Sequence, residues 1–273
     1  MSRFFIGGCQ RSGTTLMRLV LECHSAIACF DEDRGYTLLP RLTQPEVEAQ
    51  LAALGRRWIG FKIPRFSEQL LSPIISDTDY GRFPNFYAKE PVLFLVRDVR
   101  DVVGSMLQLR YPNGATWLDR FGLPILRFKF QDAAFARRYA REFRIVEGSG
   151  FAPETVGALY WLYKTEAYMD YRDAGLPVRG VVYEQLVADP RTVLAGVMEH
   201  LGLPWEEALM DHQNREHGEV DPDGKAIGGT NAREGIHTRS VGAHRGRLGP
   251  EAVERIREVI GVFPEALARA MAR

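Results

Sequence analysis

The most constraining stretch of this chain lies at its start, in Phe4-Phe5-Ile6-Gly7-Gly8-Cys9-Gln10-Arg11-Ser12-Gly13-Thr14-Thr15-Leu16. Its aromatic and branched apolar run reads as a buried strand. The run passes through a glycine-punctuated loop into a pattern in which Leu16, Leu19, Val20 and Cys23 share one helical face. Such a loop leaves backbone N–H groups exposed at the positive end of the helix dipole, which makes an anion site. Gly8 to Gly13 has the GxxxxG spacing of a phosphate-cradling loop. Thr14-Thr15, however, stand where a Lys-Ser/Thr pair would hold terminal phosphates and Mg²⁺. The cation has moved to Arg11, inside the loop.

The alternation continues. Short apolar runs predict strands at 26–30, 58–63, 92–96 and 178–183. Between them, Val102, Val103, Met106 and Leu107 share a helical face, and a long helical stretch follows Pro153. Asp189-Pro190 is an N-cap and first-turn pair for a helix closing at Gly202, and Gly249-Pro250 opens another. Strands alternating with helices predict a three-layer α/β fold with a central, mainly parallel sheet. The 273 residues read as a single domain with a helical insert at 110–175 and a polar, glycine-rich lid loop at 211–247. Residues 110–147, with Arg110, Arg120, Arg127 and Lys129 among many basic side chains, read first as a solvated helical face and second as a ligand surface.

Thirty-five basic residues balance thirty-five acidic ones. That argues against nucleic acid or an anionic membrane as partner and leaves room for a local basic pocket. The longest apolar stretches, such as 91–96, fall far short of the roughly 20 residues that span a bilayer. No signal peptide is visible. Cys9, Cys23 and Cys29 form an odd set without CxxC spacing and read as reduced thiols of a cytoplasmic protein. His212 and His217 fit no zinc pattern, so no metal is expected.

The string Arg11-Ser12-Gly13-Thr14-Thr15 resembles the 5′-phosphosulfate loop of sulfotransferases that use 3′-phosphoadenosine 5′-phosphosulfate (PAPS). The wider stretch, from Arg11 through Arg18 to Cys29-Phe30-Asp31-Glu32-Asp33-Arg34, is most similar to tyrosylprotein sulfotransferases. The resemblance implies PAPS as donor, Glu32 as catalytic base and Arg34 as a substrate-binding residue. It extends to Val92-Leu93-Phe94-Leu95-Val96-Arg97 and Ser105, where Arg97 and Ser105 match the grip on the 3′-phosphate. Lys62, in Gly60-Phe61-Lys62-Ile63-Pro64, matches a catalytic lysine. Tyr183 matches a nucleotide contact, and Arg239 a late basic residue at the 3′-phosphate. Arg11 and Lys62 then stabilise the leaving phosphate, while Ser12, Gly13, Thr14 and Thr15 surround the 5′-phosphate without a metal. The acceptor is a small-molecule or peptide hydroxyl.

Each assignment has a plainer alternative. Glu32 could be one more surface acid in Asp31-Glu32-Asp33, Lys62 a solvent-facing strand residue, and Arg97-Asp98 and Arg100-Asp101 ion pairs capping a helix. If the strand at 26–30 runs extended through this segment, Asp31 and Glu32 point to opposite faces and only one meets the loop. Two rival functions follow: a P-loop kinase, with Ile74-Ile75-Ser76-Asp77 as a faint Walker B segment, and a nucleotide-binding protein without turnover.

Overall fold

The computed structural model describes residues 1–68, 90–221, 224–226 and 229–272. Ile74-Ile75-Ser76-Asp77 lies outside the described residues. The chain opens with β1 (Ser2–Gly8), α1 (Thr14–Glu22), β2 (Ile27–Phe30), α2 (Glu32–Leu38), α3 (Pro45–Ala52), β3 (Trp58–Lys62) and β4 (Val92–Val96). It continues with α4 (Val99–Gln108), α5 (Leu123–Lys129), α6 (Ala133–Arg138), α7 (Ala140–Gly148) and α8 (Pro153–Asp173). Next come β5 (Val178–Val182), α9 (Tyr183–Ala188), α10 (Pro190–Leu201), β6 (Lys225–Ala226), β7 (Thr230–Asn231), α11 (Pro250–Ile260) and α12 (Phe263–Met271).

Two compact units result. One comprises Met1–Val96 and Asp170–Thr238, the other Arg97–Met169 and Arg239–Arg273. The first holds a five-stranded parallel sheet in the order β2-β3-β1-β4-β5. Phe4, Phe5 and Ile6 of β1 are fully buried, as are Leu93, Phe94 and Leu95 of β4. Central strands of a parallel sheet are covered on both faces, so they read as continuous apolar runs. Met17, Val20 and Leu21 of α1 and Leu194, Val197 and Met198 of α10 join Phe4, Ile6, Leu93 and Leu95 in one core. Burying each of these side chains contributes roughly 1.5–3 kcal/mol. The signals for α10 act as expected: Asp189 accepts the Thr192 N–H at 3.2 Å, and Gly202 closes the helix at φ 61°.

In the second unit the basic segment is largely the solvated face that its composition suggests, with Arg110, Arg120, Arg127, Arg137, Arg138, Arg141 and Arg144 exposed. Some of its side chains also make contacts between helices, and Lys129 is buried. Lys129 is 1% exposed, its ammonium 5.3 Å from the centroid of the Tyr163 ring. Arg141 donates to the carbonyls of Glu258 (2.9 Å) and Val259 (3.3 Å), answering the unpaired acceptors at the end of α11. Arg138 and Tyr139 both reach the Glu166 carboxylate. These side chains bind one helix to another, because long basic side chains carry apolar stems that pack well while their heads find acceptors.

The 211–247 region also departs from a single lid loop. It contains helical turns at His212–Asn214 and Ala243–Gly246 and the β6–β7 pair, and it divides between the units after Thr238. No helix among the described residues is long and apolar enough to cross a membrane.

Candidate active site

The loop after β1 is built by unusual backbone angles. Gly8 and Gly13 have φ of 123° and 92°, and Arg11, without a glycine's freedom, sits at 70°. At Gly8 an added Cβ would strike the Leu95 carbonyl; at Gly13 it would come within 2.5 Å of the Tyr183 ring. Both positions therefore need glycine for close approach as well as for conformation. Ser67 pins the loop's entrance, accepting from the Gly8 N–H at 2.9 Å and donating to the Gly8 carbonyl at 2.7 Å. Tyr171 in turn donates its hydroxyl proton to the Ser67 carbonyl. Ser12 is fully buried, and its hydroxyl has no hydrogen-bond partner among the described residues. A buried hydroxyl left in this condition costs stability unless a ligand satisfies it. Beside it, Thr14 and Thr15 open α1, whose first-turn N–H groups carry the positive end of the dipole. A phosphate or sulfonate oxygen fits that donor set.

Lys62 ends β3, is 1% exposed, and is not the solvent-facing residue of the plainer reading. Its ammonium donates to Thr15 Oγ1 at 2.9 Å and pairs with Asp31 Oδ1 at 2.6 Å and Glu32 Oε1 at 3.1 Å. Glu32 is placed otherwise than expected. The strand stops at Phe30 and Glu32 is the first residue of α2, with Asp31 as N-cap accepting the Glu32 N–H at 2.7 Å. An aspartate followed by two more acids is a strong helix start, since it caps the first N–H groups and favours the dipole. The chain turns there, so the rule of opposite faces no longer applies and both carboxylates reach Lys62. The second oxygen of Glu32 lies 3.5 Å from the Tyr36 hydroxyl and 4.0 Å from Arg65. Arg34, assigned to substrate, is exposed and lies with its guanidinium 4.9 Å from the centroid of the Phe30 ring. Arg11 is half-buried in the loop.

Sequence reasoning named Asp31 only as a competitor to Glu32 and gave Arg18 no role. Arg18 is fully buried on α1 with its Nε 3.4 Å from Asp31 Oδ2. An arginine in the middle of an amphipathic helix carries no local signal of burial.

In the second unit, Arg97 directly follows β4 in the chain and is 7% exposed. Its carbonyl accepts from the Trp161 indole N–H at 3.0 Å, and its Nη2 donates to the Ser240 carbonyl at 2.6 Å. Ser105 lies on α4, 8% exposed, and Arg239 is exposed beside Ser240. The capping alternative holds in part. Asp98 caps α4 and pairs with Arg100, but Asp101 turns away to accept from Gly242 N–H (2.7 Å), His244 N–H (2.8 Å) and His244 Nδ1 (2.8 Å). Burial alone would push the Asp101 carboxyl up. The hydrogen bonds from His244 and Gly242 and the charge of Arg97 outweigh it and hold the group below the ordinary carboxylate range.

His212 and His217 are spent locally. His212 donates through Nε2 to the Glu234 carbonyl at 3.1 Å, and His217 meets Glu22 at 3.0 Å and the His212 carbonyl at 2.7 Å. Burial, with the nearby His217, pushes His212 down to about 4. Cys9, Cys23 and Cys29 form no disulfide; burial pushes Cys23 up to about 11 and Cys29 higher still.

Fold and loop together define an α/β protein with an anion cradle at the C-terminal edge of its sheet, where open sheets of this kind bind their ligands. Residues 3–67 match the model of the sulfotransferase family. The protein-tyrosine sulfotransferase of Drosophila melanogaster is 24% identical over 237 residues, covering 78% of this chain and 40% of that protein. In fold, the chain is similar to the sulfotransferase domain of the Synechococcus PCC 7002 olefin synthase, with a TM-score of 0.54 at 19% identity over 97% of this chain and 94% of that one. It is also similar to a mouse sulfotransferase complexed with PAP, with a TM-score of 0.52 at 13% identity over 99% and 88% of the two chains. The chain spans about half the length of the curated relatives it matches. The chain is thus similar to sulfotransferases, by the family model over residues 3–67 and by these relatives over about three quarters of its length.

Proposed function

We propose that this chain transfers a sulfuryl group from PAPS to an acceptor hydroxyl, with Glu32 as general base. The observation that carries the reading is the Lys62 cluster: one buried ammonium joined to the first turn of the anion-loop helix through Thr15 and to a carboxylate pair through Asp31 and Glu32. PAPS supplies the sulfuryl group. Glu32, whose side chain keeps 11% exposure, accepts the proton of the acceptor hydroxyl as that oxygen bonds to sulfur. The sulfur–oxygen bond to the donor phosphate breaks with its electron pair left on the phosphate oxygen. Lys62 and Arg11 meet the charge that develops there. Ser12, Gly13, Thr14 and Thr15 hold the 5′-phosphate. Arg97, Ser105, Tyr183 and Arg239 are assigned to the 3′-phosphate end by motif.

The names of the relatives favour a protein or peptide tyrosine as acceptor over a small molecule. Calorimetry with the desulfated nucleotide, followed by mass spectrometry of acceptors incubated with PAPS, tests the whole reading. Binding of PAP and an acceptor that gains one SO₃ are expected. Tight binding without turnover across phenols, sugars and tyrosine peptides would leave a nucleotide-binding protein, and phosphoryl transfer from ATP would make it a kinase.

A further inference from the structure

Arg18 is among the largest fully buried side chains described, and it lies one residue's reach behind the proposed base. Its Nη1 donates to Glu22 Oε2 at 3.1 Å and to the Gly218 carbonyl at 3.4 Å, and its Nε is 3.4 Å from Asp31 Oδ2. The other oxygen of Asp31 holds Lys62. A line of charge thus runs from α1 through Arg18 and Asp31 to the ammonium at the end of β3. His217 braces the outer end by pairing with Glu22 at 3.0 Å, and Glu219 braces Asp31 by accepting its N–H at 2.6 Å.

Two adjacent carboxylates share one lysine here, and a single ammonium has no means of choosing between them. Like charges so close repel, so two carboxylates on one ammonium keep their places only through further partners. Arg18 is such a partner for Asp31: its Nε lies 3.4 Å from the outer oxygen, a charge contact without a hydrogen bond, while the inner oxygen pairs with Lys62 at 2.6 Å. Asp31 is thereby a fixed strut. Glu32, held more loosely by Lys62, Tyr36 and Arg65, is left as the carboxylate that can exchange a proton. We propose that Arg18 is a positioning residue for sulfuryl transfer, acting through Asp31 to set the Lys62 ammonium and to separate the duties of Asp31 and Glu32. The inference rests on the proposed function.

The test is steady-state kinetics on Arg18→Lys, which keeps the cation and loses the fork, alone and combined with Asp31→Asn. Arg18→Lys should lower kcat about 10- to 100-fold, the scale of a misplaced catalytic group, with KM for PAPS and Kd for PAP within about twofold. In the Asp31→Asn background the substitution should add nothing, because its route is gone. Glu22→Gln, at the half-exposed outer end, provides a second variant if Arg18→Lys does not fold. It should lower kcat about threefold, again only when Asp31 is present. A wild-type kcat in both variants, or losses that multiply with that of Asp31→Asn, would overturn the proposal. Retained activity in Glu32→Gln would instead sink the base assignment and leave the measured coupling of Arg18 to Asp31 to be judged by itself.

Discussion

Lys62 and Arg97 stand at equivalent points, at and just beyond the C-terminal ends of parallel strands, and both are nearly buried. They are held by opposite means. Lys62 is met by two carboxylates and a hydroxyl, Arg97 by the Ser240 carbonyl, with Asp101 engaged by Gly242 and His244. A cation paired with carboxylates has its charge neutralised by groups that can take up a proton, which suits a step where a proton moves. Arg97 turns Nη2 to a neutral carbonyl and lies near Asp101, whose carboxyl its charge helps to hold down, and its planar fork suits a permanent anion such as a phosphate. The proposed function accordingly gives the chemistry to Lys62 and the grip to Arg97.

The largest test of that separation is Glu32→Gln. It should cut kcat by about 10²–10⁴-fold while calorimetric affinity for PAP stays unchanged. A loss of PAP affinity of the same size would erase the distinction between the two cations.

Arg97→Ala should do the reverse. Nucleotide binding should weaken by about 2–5 kcal/mol, the scale for truncating one partner of a charged contact, and kcat at saturating PAPS should stay close to normal. Binding of a nucleotide lacking the 3′-phosphate should be insensitive to the substitution. Unchanged PAP affinity would remove Arg97 from the grip.

A smaller effect tests the segment that braces Glu22 beside the Lys62 cluster. His212, pushed from 6.5 down to about 4, stays neutral in the folded chain while its unfolded counterpart gains a proton. Its contribution is fully present above pH 6.5 and is lost as pH falls towards 4, a change of up to about 3 kcal/mol. His212→Gln keeps a donor for the Glu234 carbonyl and should flatten that part of the stability curve measured by urea unfolding. An unchanged slope would show that other groups carry the acid sensitivity.

The smallest effect belongs to Asp101→Asn, which should cost about 1–3 kcal/mol at neutral pH by weakening three hydrogen bonds. The carboxyl is held below its ordinary value of 3.8. Its stabilisation therefore persists above that value and fades only as pH falls through the lower folded one, so the gap to wild type should close only in strong acid. A gap that closed well above that range would show that another group carries the effect.

Much of this was legible in the linear sequence. The five strands fall nearly at their expected places, and the caps at Asp189 and Gly202 behave as their residue types require. The loop from Gly8 to Thr15 and the strand-end position of Lys62 were readable too. The segment Asp31-Glu32-Asp33 departs from the extended chain that the preceding strand predicts, because two local rules compete there. Strand alternation gave way to helix capping, since an N-cap aspartate satisfies donors that an extended chain leaves to its neighbours.

Periodicity, caps and glycine placement act between residues a few positions apart, so the chain's own order determined the elements, their sequence along the sheet-forming segments, and the anion loop. The fate of the charged side chains was decided only by tertiary structure. Lys62, Arg18 and Lys129 look alike in sequence to any solvated basic residue, yet each is buried. A buried charge is tolerated only where partners from distant parts of the chain meet it. For Lys62 those are Thr15 and Asp31, and for Arg18 they are Asp31 and the Gly218 carbonyl. No local pattern in the sequence announces such meetings, because their energy exists only once the fold has brought the groups together.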